Sequence, residues 1–129
     1  LTCIGTVTVG VDNTGLDVKF FGASAGAYAL WDESANLLDL RGATAAGPGH
    51  LKLTTGELSV VDADVLGRID FQAPLDTAGT DAILVAASIY AEADATFSSA
   101  VNSTDLVFAT ADDGAAIPVR EKLFVILLI

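Results

Sequence analysis

The run Leu66-Gly67-Arg68-Ile69-Asp70-Phe71-Gln72-Ala73-Pro74 (LGRIDFQAP) decides how this chain is read. Gly67, Ile69 and Phe71 fall on one side and Arg68, Asp70 and Gln72 on the other, the period-two alternation of a half-buried β-strand. Pro74, with no amide hydrogen to donate, ends the ladder. After the turn-forming Asp76 to Asp81 (DTAGTD) comes AILVAASIYAEA, with apolar Ile83, Val85, Ala87 and Ile89 at alternate positions. Its other side, through Leu84, Ala86 and Tyr90, is mostly apolar too, and a strand apolar on both sides requires cover on both. A third run, Leu106 to Thr110 (LVFAT), follows a polar loop. Three strands with no reaction centre among them predict an all-β structural or binding module.

Outward from that core the same pattern repeats in shorter pieces. Thr6 to Val11 (TVTVGV) is β-branched and alternating, and Asp12-Asn13-Thr14-Gly15 is a turn, which together predict a hairpin into Leu16 to Phe21 (LDVKFF). Phe21 is apolar on the otherwise polar side and marks a candidate subunit contact. Gly22 to Gly26 (GASAG) turns the chain into Ala27 to Asp32 (AYALWD) and then Asn36 to Arg41 (NLLDLR), so residues 1–42 read as a β meander or attachment module. Residues 43–50, rich in Gly, Ala and Pro, read as a linker, and 51–129 as the second module. Leu51 to Thr54 (LKLT) and Leu58 to Val61 (LSVV) predict a hairpin around Thr55-Gly56-Glu57. Only Tyr90 to Val101 has a helical composition, weakened by Thr96, Ser98 and Ser99.

The chain has 129 residues, 52% of them hydrophobic and 18% charged, and a formal charge of −11 from six Lys and Arg against seventeen Asp and Glu. That length suffices for one ordinary core without metal or disulfide support. The apolar content exceeds what a small monomer comfortably hides and predicts an oligomer. The charge repels a phosphate backbone, so nucleic acid is not an expected partner. Cys3 is the single cysteine, with no His or Cys at metal-ligand spacing, and no cofactor or metal is expected. Leu1 to Val11 has neither the basic region nor the apolar core of a signal peptide. The longest apolar run, Leu123 to Ile129 (LFVILLI), is far shorter than the ~20 residues that span a bilayer, so it is expected to form a buried or intersubunit strand rather than insert in a membrane.

Three patterns invite a chemical reading. Gly22-Ala23-Ser24-Ala25-Gly26 matches the G-x-S-x-G nucleophile elbow, and Asp32 or Asp39 with His50 would complete a triad in the right chain order. The segment after Ser24 is β-like rather than helical, however, and the chain is too small for the usual doubly wound sheet, so a hairpin turn is the simpler account. Asp62/Asp64, Asp76/Asp81 and Asp112/Asp113 are carboxylate pairs that fit turn capping better than a calcium loop or a glycosidase pair. Tyr28, Trp31 and Tyr90 offer stacking faces for a sugar, although single aromatics in β runs more often fill a core or interface.

Residues 9–40 (VGVDNTGLDVKFFGASAGAYALWDESANLLDL) resemble a β-rich segment of structural proteins of tailed bacteriophages, especially aquatic ones. LKLTTGELSVVDADVLGRIDFQAP and DAILVAASIYAEADATFSSAVNSTDLVFATADDG resemble a tail-fibre module with three strand motifs. Those motifs stand here as Leu66-Gly67-Arg68-Ile69-Asp70-Phe71, as Ala82-Ile83 leading to Ala87, and as Leu106-Val107-Phe108-Ala109-Thr110. The resemblance implies an interwoven homotrimeric β fibre or a β-sandwich-like module in a virion, with no enzymatic activity. Its partners would be copies of itself, other capsid or tail proteins, and a host surface glycan or protein. A departure is that Glu121-Lys122-Leu123 runs into Phe124 to Ile129 where such modules continue into further shaft, which makes a capsid decoration protein a rival to a fibre; a small glycan or ester hydrolase is the enzymatic alternative. The candidate trimer-interface or core residues are Phe20, Phe21, Trp31, Ile69, Phe71, Ile83, Val85, Ile89, Phe108, Phe124 and Ile126.

Overall fold

A computed structural model describes residues 4–44, 46–73, 75–111 and 119–122, the last four for their backbone alone. It is all-β, with no α-helix among the described residues. Two compact units, Leu1–Lys52 and Leu53–Ile129, each hold one antiparallel sheet.

The first sheet has three strands in sequence order, β1 (Val18–Phe21), β2 (Tyr28–Asp32) and β3 (Leu37–Arg41). Its hairpins are closed by small and polar residues. In the β1–β2 turn the Gly22 amide donates to Ala27 O (2.9 Å) and the Ala27 amide to Ser24 O (3.1 Å), with Gly26 at φ 86°. In the β2–β3 turn Asp32 Oδ1 accepts from Ser34 Oγ (2.8 Å) and the Ala35 amide (3.0 Å), and Asn36 takes a left-handed φ of 53°. This is the side-chain mimicry of a backbone turn for which Asp and Asn are selected. The Gly42 to Gly49 segment folds back on β3 within the same unit. A Cβ on Gly49 would collide with Leu40 O and one on Gly42 with Gly47 O, so glycine here permits backbone-to-backbone approach rather than mere freedom.

The second sheet has the order β4 (Val65–Gln72), β5 (Val85–Ala93), β6 (Thr104–Thr110), β7 (Val119–Lys122). The pivotal run therefore forms a strand, with register irregularities between Val65 and Gly67 and between Phe71 and Gln72. Gly67 lies where a Cβ would come within 2.6 Å of Leu53 Cβ, which explains a glycine in mid-strand. The small core is Tyr90, Val107 and Ala109, with Val107 only 1% exposed. Tyr90 and Val107 face each other across β5 and β6, and the Arg68 guanidinium lies 5.4 Å from the Tyr90 ring centroid.

Several expectations are corrected. The helical composition of Tyr90 to Val101 yields no helix: Tyr90 to Glu92 pair on both sides, with β4 and β6, and cross-strand pairing overrides the helical bias of Ala and Glu. Ile83 sits in a 3-10 turn (Asp81–Ile83) rather than in β5, which starts two residues later. Thr6 to Val11 and the two runs in 51–61 form no strand; only a Val11–Thr14 bridge closes around Asp12 and Asn13. On β5 the more deeply buried side is the even one, with Ser88, Tyr90 and Glu92 buried while Val85, Ala87 and Ile89 are half-buried. Phe124 and Ile126, with the whole Leu123 to Ile129 run, lie outside the described residues, as do Cys3 and Pro74.

Val107→Ala is expected to destabilise the second unit by about 2 kcal/mol through lost burial and a residual cavity. Leu58→Ala, at a side chain 99% exposed, should change stability by less than about 0.5 kcal/mol. Urea unfolding followed by circular dichroism makes the comparison.

Candidate assembly surfaces

Residues directly opposite in an antiparallel ladder project to the same face. In the second sheet the register therefore builds rows of Ile69, Ile89 and Phe108, of Gly67, Ala91 and Leu106, and of Phe71, Ala87 and Thr110. β4, β5 and β6 contribute no charged residue to this face, and β7 sets Glu121 opposite Phe108 at its margin. In the chain by itself it is open to solvent: Phe71 is 51% exposed, Leu106 56%, Ile69 42% and Phe108 40%. The reverse face carries Arg68, Asp70, Ser88, Tyr90, Glu92, Val107 and Ala109, and the core lies on that side.

The first sheet divides the same way. One face consists of Val18, Phe20, Ala29, Trp31, Leu38 and Leu40, all apolar, with Phe20 70% and Leu38 62% exposed. The other face bears the row Lys19, Leu30, Asp39 and the row Phe21, Tyr28, Arg41. Apolar residues thus outnumber what either sheet buries within the described chain, which follows from strands too short and too few to fold over themselves.

Of the eleven residues singled out from the sequence, Phe20, Phe21, Trp31, Ile69, Phe71, Ile83 and Phe108 are exposed and Val85 and Ile89 half-buried. None of these nine belongs to the core, which is built from Leu30, Tyr90, Ala93, Val107 and Ala109 instead. Ile69, Phe71, Val85, Ile89 and Phe108 gather on the apolar face of the second sheet, Phe20 and Trp31 on that of the first. Phe21 lies on the opposite, mixed face, and Ile83 lies in the 3-10 turn. The core residues were harder to find because Ser88 and Glu92 interrupt the apolar pattern of the side that is buried.

Sheet edges offer a second route to association, and β4 resists it. It is irregular at both ends, and Arg68 Nε and Asp70 Oδ1 form an exposed ion pair along its outer stretch. Bulges and charges of this kind obstruct edge-to-edge pairing along β4.

The chemical patterns resolve as turn geometry. Ser24 sits in a strand-turn-strand hairpin, whereas a nucleophile elbow requires a strand-turn-helix. Asp32 is engaged by its own turn, and Asp39 pairs across the sheet with Leu30. Asp64 Oδ2 accepts from the Val61 amide (2.7 Å) and Asp76 Oδ1 from the Ala78 amide (2.7 Å). Asp112 and Asp113 lie outside the described residues, and among those described no three His, Cys, Asp or Glu side chains converge as a metal set. No helix of the described residues is long and apolar enough to cross a membrane.

The hydroxyl of Ser34, then the Ala35 amide, holds the Asp32 carboxyl below its ordinary value, against a smaller opposing effect of desolvation. A lowered value in the folded state means that Asp32 favours the turn above the ordinary carboxylate range and loses that preference as pH falls through its own value. Ser34→Ala is expected to raise the Asp32 midpoint in a pH titration followed by carboxyl-carbon NMR. An unchanged midpoint would contradict this turn.

No protein-family model, curated protein or solved structure matches the chain, so its fold and surfaces are read from its own residues.

Proposed function

We propose that this chain is a non-enzymatic building block that assembles with copies of itself through the apolar faces that β1 to β3 and β4 to β6 build, as a module of a bacteriophage tail or head fibre supporting host attachment. The observation that carries the assembly is the pairing of these faces with a charge of −11. Copies of so acidic a chain repel each other wherever carboxylates meet, and the two apolar faces are where they approach at the least such cost. Burying about 1,000 Å² of apolar surface at ~25 cal/mol per Å² contributes ~25 kcal/mol before the cost of association, enough for a persistent assembly. The virion setting and the number three rest on the resemblance of residues 9–40 and of the LGRIDF and LVFAT strands to phage fibre modules. In that setting the acidic exterior keeps the assembly soluble, and repeated weak contacts with the host surface gain through avidity.

The double variant Phe71→Asp, Leu106→Asp is expected to dissociate the assembly into single chains, measured by light scattering after gel filtration. Leu58→Asp should leave the mass unaltered. Retention of the assembled mass by the double variant would remove the second sheet's face from the interface. Immunogold labelling of intact phage particles tests the setting: gold on tails or projecting fibres supports attachment, gold over the shell makes the chain a decoration protein, and unlabelled particles overturn the virion reading.

A further inference from the structure

Beside the row Phe21, Tyr28, Arg41 the first unit contains an open cavity of about 520 Å³, a volume suited to a small ligand. It lies between the β1–β2 hairpin and the segment that folds back on β3, and Ser24, Thr44 and His50 supply its polar lining with Arg41. In a chain with seventeen acidic residues, none lines it. Two cations meet on one of its rings: Lys19 Nζ lies 4.5 Å from the Tyr28 centroid, and the Arg41 guanidinium carbon lies 5.6 Å from it. Neither forms a salt bridge among the described residues, where the only ion pair is Arg68 with Asp70 in the other unit. Arg41 is the cationic group that lines the cavity, and a planar guanidinium there takes an anionic group through paired hydrogen bonds.

We infer that this cavity binds a monosaccharide carrying a single carboxylate, a sugar acid of the uronic type. Arg41 takes the carboxylate in its planar fork, the exposed Phe21 ring takes a CH-rich sugar face, and Ser24, Thr44 and His50 take hydroxyls. The polar lining disfavours an aromatic acid, which would leave those groups without partners. The overall charge disfavours a polyphosphate or nucleic acid, whereas one carboxylate adds little to the long-range repulsion. The cavity lies at the end of the sheet, lined by the row Phe20, Ala29, Leu40 as well as by Phe21, Tyr28, Arg41, and it does not depend on the virion setting.

Amide NMR of the full chain titrated with sodium glucuronate, glucose and sodium acetate tests the inference. Glucuronate is expected to shift the signals of Tyr28, Arg41 and His50 saturably, with glucose and acetate each about tenfold weaker, as the loss of one charge-assisted contact or of the ring contacts dictates. Arg41→Gln should weaken glucuronate about tenfold and leave the weak response to glucose as it was. Equal responses to glucuronate and glucose, equal responses to glucuronate and acetate, or no saturable shift at these residues would overturn it. The selectivity series on the unaltered chain decides the matter even where Arg41→Gln disturbs the fold.

Discussion

Like-charge repulsion sets the terms for the assembly proposed for this chain. With seventeen carboxylate side chains against six Lys and Arg, most of its surface is closed to a second copy. The antiparallel register gathers uncharged residues onto one face of β4 to β6 and of β1 to β3: Ile69, Ile89 and Phe108 with their neighbours in one unit, Phe20, Trp31 and Leu38 with theirs in the other. The register thus does what the composition alone does not. A slip of one residue in β4 would bring Arg68 and Asp70 onto the apolar face and destroy it.

The cores are correspondingly modest. Tyr90, Val107 and Ala109 form the buried cluster of the second sheet, and Leu30 is the buried apolar residue of the first. Local devices hold the remainder in place. Asp32, Asp64 and Asp76 cap turns, and glycines at positions 42, 49 and 67 admit neighbouring atoms that a Cβ would exclude. Stability spread among turns and ladders in this way leaves the large apolar side chains available for contacts beyond the chain.

Much of the sheet was legible in the sequence where alternation met a turn signal. LGRIDFQ became β4 through its alternation, and the short apolar runs YALWD, LLDLR and LVFAT became β2, β3 and most of β6, each bounded by Gly, Pro, Asp or Asn. The runs TVTVGV, LKLT and LSVV alternate as well and are not strands, since a strand needs a partner and alternation does not name one. The helical bias of AEADA yielded to the pairing of β5 with its two neighbours. Which side of β5 is buried was also hidden, because Ser88 and Glu92 make the buried side look the more polar one. The row Phe21, Tyr28, Arg41 was beyond reach, since it joins residues from three strands and appears only with the register.

Sedimentation equilibrium of the unaltered chain over a wide range of concentration tests the central claim most directly. The account predicts a stable mass at a whole-number multiple of 13.1 kDa, three times that value for the fibre module. A mass of 13.1 kDa at every concentration, with the apolar faces still open to solvent, would contradict it.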